Sequence, residues 1–315
     1  MTPAARQAHA ASYEKYKWGD YDRMPDPSAI LNAVVAGVLL GGFYAAVALG
    51  IAIAFGMLDI PNLSHPAFVV MGAFATWVLN STFGIDPVLS GLLMAGPFFV
   101  LGVLLYKLYH ACFESRGEAP LQGLAFFFGI LFITEVVLVL TAGADYRSVQ
   151  ADYIGVSLNI GSLTLPLRMV VPFVVSIGML LGLQQFLTRS FTGRAILAVS
   201  QDKLALQLMG VSPTRIKALA FGISIATAAV AGSLLIIIQP VEPSIGRDFI
   251  GRAFAAVVLG GMGSFWGMLI ASIILGITES IVSDMWNPSW APAIAFGFLL
   301  PTLAFRSGGL LGRKL

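Results

Sequence analysis

Charge is scarce in this chain. Only 11% of its 315 residues are Asp, Glu, Lys or Arg and 57% are hydrophobic, whereas soluble domains carry about 25% charged residues. That excludes an ordinary soluble domain and points to an all-α polytopic membrane bundle with no separate soluble unit. Cysteine is nearly absent. Cys112 alone rules out an internal disulfide or a cysteine metal cluster. The three histidines, His9, His65 and His110, are too scattered for metal-ligand spacing. No Walker A pattern is present, so the chain does not bind ATP by that route. The glycines of 260–267 lack GxGxxG spacing, and no catalytic triad or metal motif supports an enzyme. Nothing points to nucleic acid. No charged start followed by a short apolar core and a small-residue cleavage site opens the chain, so no signal peptide is expected.

Long apolar runs take the place of charge. Judged against the ~20 residues that cross a bilayer, spans are expected near 29–57, 66–80, 87–109, 120–143, 167–187, 217–239, 250–262, 265–283 and 290–305. Two look short or discontinuous. The run 66–80 follows the break Asp59–Pro66, and 250–262 is interrupted by the glycines of 260–264. Short or interrupted spans in both halves of a transporter point to a midplane site. The stretches AFVVMG (67–72) and AFAAVVLGG (253–261) are weakly alike. Small residues four apart (Gly37 and Gly41, Gly178 and Gly182, Ala228 and Gly232, Gly263 and Gly267) suit close helix packing. Residues 1–28 form a polar extension with balanced charge and interleaved Tyr and Trp, read as a tail or an interfacial segment.

The loop 188–217 is long, polar and basic. Arg189, Arg194, Lys203, Arg215 and Lys217 face a single acid, Asp202. Basic loops stay cytoplasmic, which fixes the orientation and puts 144–166 outside. The loop also reads as folded. Gly193 opens a short helical run, Asp202 caps a second run that contains Ala205, and Gly210 stands where a helix-ending glycine would. A structured cytoplasmic loop suggests docking of something that supplies energy.

Candidate path residues are few. Glu135 and Glu279 are the acids inside spans, where carboxylates are costly and face the bundle interior or an aqueous route. No Lys or Arg is read deep in a span to pair with them, so the path is expected to be mostly neutral. Asn62, Ser64 and His65 form a polar break before Pro66. The following helix would aim its N–H groups back at that break, which suits a carboxylate. His65 is expected to act as a hydrogen-bonding group. Gly260, Gly261, Gly263 and Ser264 form the second break, expected beside the first.

These residues resemble a family. The run GGFYAAVALGIAIAFGMLDIPNLSHPAFVVMGAF (41–74) is similar to the first signature of branched-chain amino acid ABC-transporter permeases. Residues 243–264, PSIGRDFIGRAFAAVVLGGMGS, resemble the second, and 193–221 resembles the segment that contacts the ATPases. The likeness spans about 29–312. Pro66 stands where the family usually has glycine, and 306–312, RSGGLLG, departs from the usual ending.

The resemblance implies one permease of an importer in a bacterial inner membrane. A second permease, identical or homologous, two cytoplasmic ATPases and a periplasmic binding protein complete it. It implies no cofactor in this chain, with ATP and magnesium on the partners. The substrate expected is a branched-chain amino acid or a related small carboxylate or amide. Urea, amides and aromatic acids are alternatives. The rival from another class is a proton-coupled secondary carrier using Glu135 or Glu279.

Overall fold

The computed structural model describes residues 27–117, 120–161, 163–305 and 308–311. The N-terminal extension expected over 1–28 lies, but for its last two residues, outside the described residues. Among the described residues, seven helices are long and apolar enough to cross a membrane. These are α1 (Pro27–Ala54), α2 (His65–Phe83), α3 (Pro87–Cys112), α4 (Pro120–Ala142), α5 (Leu167–Arg189), α8 (Pro213–Ile238) and α10 (Phe265–Met285). Short helices α6 (Phe191–Val199) and α7 (Lys203–Leu208) form the basic loop. Helices α9 (Gly246–Gly260) and α11 (Ala291–Phe305) complete the set.

The short elements are not quite the ones expected. Helix α2 has 19 residues, enough to cross. It runs past the polar Asn80 because the Asn80 amide donates to Ile85 O and Gln150 O, both at 3.0 Å, and so pins the helix end. Helices α9 and α11 have 15 residues each. At 1.5 Å per residue that is about 22 Å, less than a hydrocarbon core of about 30 Å. The outer segment carries a small hairpin, β1 (Ser157–Ile160) against β2 (Leu163–Pro166), with Gly161 left-handed at its turn. Sequence periodicity over four-residue strands was too brief to show it.

Helix α8 is the hub, buried along most of its length and packed on α1, α2, α3 and α5. Small residues let the backbones approach. A Cβ on Gly102 would meet the Gly222 Cα at 2.9 Å, and one on Gly72 the Ala229 Cα at 2.8 Å. Gly37 and Gly41 do the same between α1 and α10, each 2.5 Å from a backbone Cα of Ile277 or Ile273. Gly178 and Gly182 differ, since their faces of α5 meet open space. Outward faces of α3, α4 and α5 carry exposed Leu92, Leu104, Val136, Leu140 and Val174, as a lipid-facing surface requires.

Candidate functional site

After α1 the chain makes a compact crossing. Asp59 takes a left-handed backbone (φ 57°), which Asp tolerates better than most residues. Asn62 Oδ1 then accepts from Ser64 N–H at 3.1 Å and from Ser64 Oγ at 2.6 Å. This turn delivers His65 and Pro66 to the start of α2. The loop before α9 brings that helix's first turn to the same place, where a Cβ on Gly246 would lie 3.1 Å from Pro66 O. Two helix N-termini therefore meet inside the bundle.

Asn62, Ser64 and His65 are all buried, and none of them lines either of the cavities described below. The His65 ring packs on Gly50 and faces the Val47 carbonyl. Neither ring nitrogen forms a hydrogen bond of normal geometry among the described residues, nor does Asn62 Nδ2. The ring is packed closely on Gly50, with the Val47 carbonyl as its polar neighbour.

The second break is built by backbone needs. Gly261 and Gly263 have positive φ (100° and 85°), and Ser264 caps α10 by accepting from Gly267 N–H at 3.1 Å. A Cβ on Gly260 would meet the Met268 Cα at 2.5 Å. The chain returns over this turn, with Leu311 N–H donating to Gly260 O at 3.1 Å. The two breaks adjoin. Leu63 and Met262 line one apolar cavity of about 570 Å³, together with Phe55, Phe254 and Phe296.

The expectation that the two intramembrane acids lack cationic partners is corrected. Glu135 on α4 pairs with Arg247, and Glu279 on α10 pairs with Arg252. Arg252 Nη2 donates to Glu279 Oε1 at 2.9 Å and Nε reaches both carboxylate oxygens at 3.2 Å. The reason is the start of α9. It begins at Gly246, before the apolar run, and inside the bundle, so Arg252 sits in its second turn instead of at a membrane surface. The bundle is not neutral at these pairs. Arg252 also lies 5.9 Å from the Tyr44 ring centroid and 5.4 Å from that of Phe249. A cavity of about 270 Å³ opens beside the pair, walled by α1, α8, α9 and α10. Arg247, Arg252 and Tyr44 were not singled out from the sequence. The spacing GRDFIGR within a run bounded by two turns was the available signal.

The basic loop is folded. Ser190, not Gly193, opens α6 by accepting from Gly193 N–H at 2.9 Å. Gly193 is needed for another reason: a Cβ there would meet the Leu187 Cα at 2.5 Å. Asp202 Oδ1 caps α7 by accepting from Leu204 N–H at 2.8 Å and Ala205 N–H at 3.0 Å. Gly210 closes it with φ 77°. Arg194 is exposed on α6. Leu204, Leu208 and Met209 are also exposed, at 65%, 81% and 68%, and form an apolar face on an otherwise polar loop. At the root of α8, Lys217 pairs with Glu114, whose other oxygen accepts from Tyr106 at 2.8 Å and lies 3.0 Å from His110 Nδ1. Among the described residues no cluster of His, Cys, Asp or Glu could hold a metal.

The family model described as branched-chain amino acid transport system / permease component matches residues 33–303. The high-affinity branched-chain amino acid transport system permease protein BraD of Pseudomonas aeruginosa is 27% identical over 304 residues, covering 92% of this chain and 98% of that protein. LivH of Escherichia coli K12, named as the same kind of permease protein, is 28% identical over 295 residues, covering 90% and 96%. LivM of Salmonella typhimurium, also so named, is 28% identical over 291 residues, covering 85% of this chain and 67% of its own length. With its glycine-packed bundle and both interrupted segments inside the matched region, the chain belongs to the family of branched-chain amino acid transport system permease components.

Proposed function

We propose that this chain is a membrane-spanning permease subunit of an ABC importer in a bacterial inner membrane. Its cargo is a branched-chain amino acid or a related small carboxylate or amide. It works beside a second permease, identical or homologous, with two cytoplasmic ATPases and a periplasmic binding protein. ATP and magnesium act on the ATPases, and this chain takes no cofactor of its own. The observation that carries the reading is the capped helix α7 presenting Leu204, Leu208 and Met209 to solvent on a basic loop. A solvated loop that only set topology would need the positive charge and nothing more. An exposed apolar face of this kind marks a protein contact.

The mechanism is alternating access. ATP-driven closure of the ATPases presses on α6 and α7. The loop is fastened to the bundle through Gly193 against Leu187 on one side and through α8 on the other, so the push reaches the hub helix. Affinity belongs to the binding protein, and the permease has to pass cargo on. The test is Leu208→Asp with Met209→Asp in the assembled transporter. Copurification of the ATPases and ATP-driven uptake should both be lost while the chain still inserts and melts as before. Undiminished uptake would remove the docking role.

A further inference from the structure

We infer that the face formed by α4, α9 and α11 around Arg247 is the seam at which the second permease packs against this chain inside the membrane. This rests on the transport reading above and says which surface the permease partner covers.

Arg247 is a charge exposed at depth. Its Nε donates to Glu135 Oε2 at 3.0 Å and its Nη2 donates to Glu135 Oε1. Glu135 lies seven residues before the end of α4 at Ala142, about 10 Å by the helical rise. While paired, the guanidinium is held at that depth and cannot snorkel to the surface. Yet the Arg247 side chain is 53% exposed, against 12% for Glu135. Both Nη1 hydrogens and one on Nη2 have no hydrogen-bond partner among the described residues. A guanidinium turned toward hydrocarbon in this way is costly, so lipid is not what this face meets.

The surroundings are apolar and unfinished. Phe128 and Phe132 on α4 meet edge to face at 4.9 Å and are exposed, as are Phe296 and Leu300 on α11. Arg247 also lines the cavity of about 570 Å³ between α9 and α11. Protein interiors leave few voids larger than a water, so a space of this size marks a surface whose filling comes from elsewhere. Arg and aromatic side chains are among the types enriched where proteins meet.

Depth selects the occupant. Lipid chains can fill the cavity, but they offer the three free N–H groups of Arg247 no acceptor. The ATPases and the binding protein work in water and do not reach this level. A second membrane-embedded permease meets both demands, with apolar side chains for the cavity and the aromatic edges and acceptor oxygens for Arg247. Hydrogen bonds and close packing are what hold helices together in lipid. The outward face of α5 sets the contrast. Val174 and Leu181 are exposed there, and the only charges of that helix are Arg168 and Arg189 near its ends. That face makes no such demand and stays on lipid.

The test places a nitroxide at Phe296→Cys, and separately at Val174→Cys, in a chain whose single cysteine is removed by Cys112→Ser. Power-saturation EPR in nanodiscs reads accessibility to oxygen, which partitions into lipid, and to a water-soluble nickel chelate. The chain alone is compared with the complete transporter. At Phe296 oxygen accessibility should fall severalfold on assembly while nickel accessibility stays low. At Val174 neither should change. Oxygen accessibility retained at Phe296 would put lipid on this face and overturn the seam. A rise in nickel accessibility there would make it the wall of a watery path and overturn it equally. As a second readout, Leu300→Asp should lose the second permease on copurification. Val174→Asp, with the same insertion penalty, should keep it. Loss with both, or with neither, counts against the seam. ATP-driven uptake by the complete transporter is measured alongside. Uptake with Phe296 still open to oxygen defeats the seam only. A Phe296 site covered by a second permease without ATP-driven uptake defeats the transport reading only.

Discussion

The imidazole of His65 fills the space that a side chain on Gly50 would need, with the Ser224 carbonyl 2.7 Å from the same point. Ser224 Oγ in turn donates to Gly50 O at 2.7 Å. The start of α2, the C-terminal end of α1 and the middle of α8 are therefore locked at one spot by the absence of a methyl group. Gly50→Ala should overpack this contact and cost about 1–3 kcal/mol. Adding His65→Ala should recover part of that loss. Thermal melts of the single and double variants in detergent measure the coupling, and strict additivity would show that the ring and the glycine do not share the site.

Lys217 and Glu114 join the root of α8 to the turn after α3, with side chains 6% and 21% exposed. Removing one member strands a buried charge, while removing both does not. Lys217→Met alone should therefore destabilise the chain by about 3–5 kcal/mol. Lys217→Met with Glu114→Gln should stand closer to wild type, because Tyr106 and His110 still have a polar partner in the glutamine. Equal melting losses for the single and the double variant would refute the pairing as the stabilising contact.

Asp202 offers a milder test on the loop. Its carboxylate caps only the six-residue α7. Asp202→Ala should cost about 1 kcal/mol of local stability and leave the bundle's melting unchanged. ATPase stimulation should fall, because the exposed Leu204 and Leu208 lose their fixed presentation. Asp202→Asn, which still caps, should restore it.

Much of this molecule could be read from its residues. Apolar runs separated by turn residues located the helices, since a bilayer leaves few other structures. Asp202 and Gly210 announced their caps, because these residue types satisfy orphan backbone groups wherever they stand. Depth was harder. Periodicity tells which residues share a helix but not how far the helix start lies inside the bundle, so no Lys or Arg was read deep in a span and Glu279 was read as unpartnered. The glycines of 260–264 announced a break, but not that Gly260 would lie against Met268 and let α9 and α10 touch. His65, a polar residue in a break, was expected to hydrogen-bond, and its packing on Gly50, fifteen residues earlier, is invisible to any local pattern.

The ion pairs bear on how transport is powered. A proton-driven carrier needs a carboxylate open to the path and available to trade protons with it. Glu279 instead meets Arg252 through three hydrogen bonds, and Glu135 meets Arg247, whose guanidinium also lies 5.3 Å from the Phe132 ring centroid. Neither acid is left for that task among the described residues. The chain reconstituted alone should accordingly show no concentrative uptake of labelled leucine when an inward proton gradient is imposed. Adding the ATPases, the second permease and loaded binding protein should produce ATP-dependent uptake that a protonophore leaves intact. Accumulation by the chain alone, abolished by the protonophore, would overturn the importer reading and assign the energy to protons.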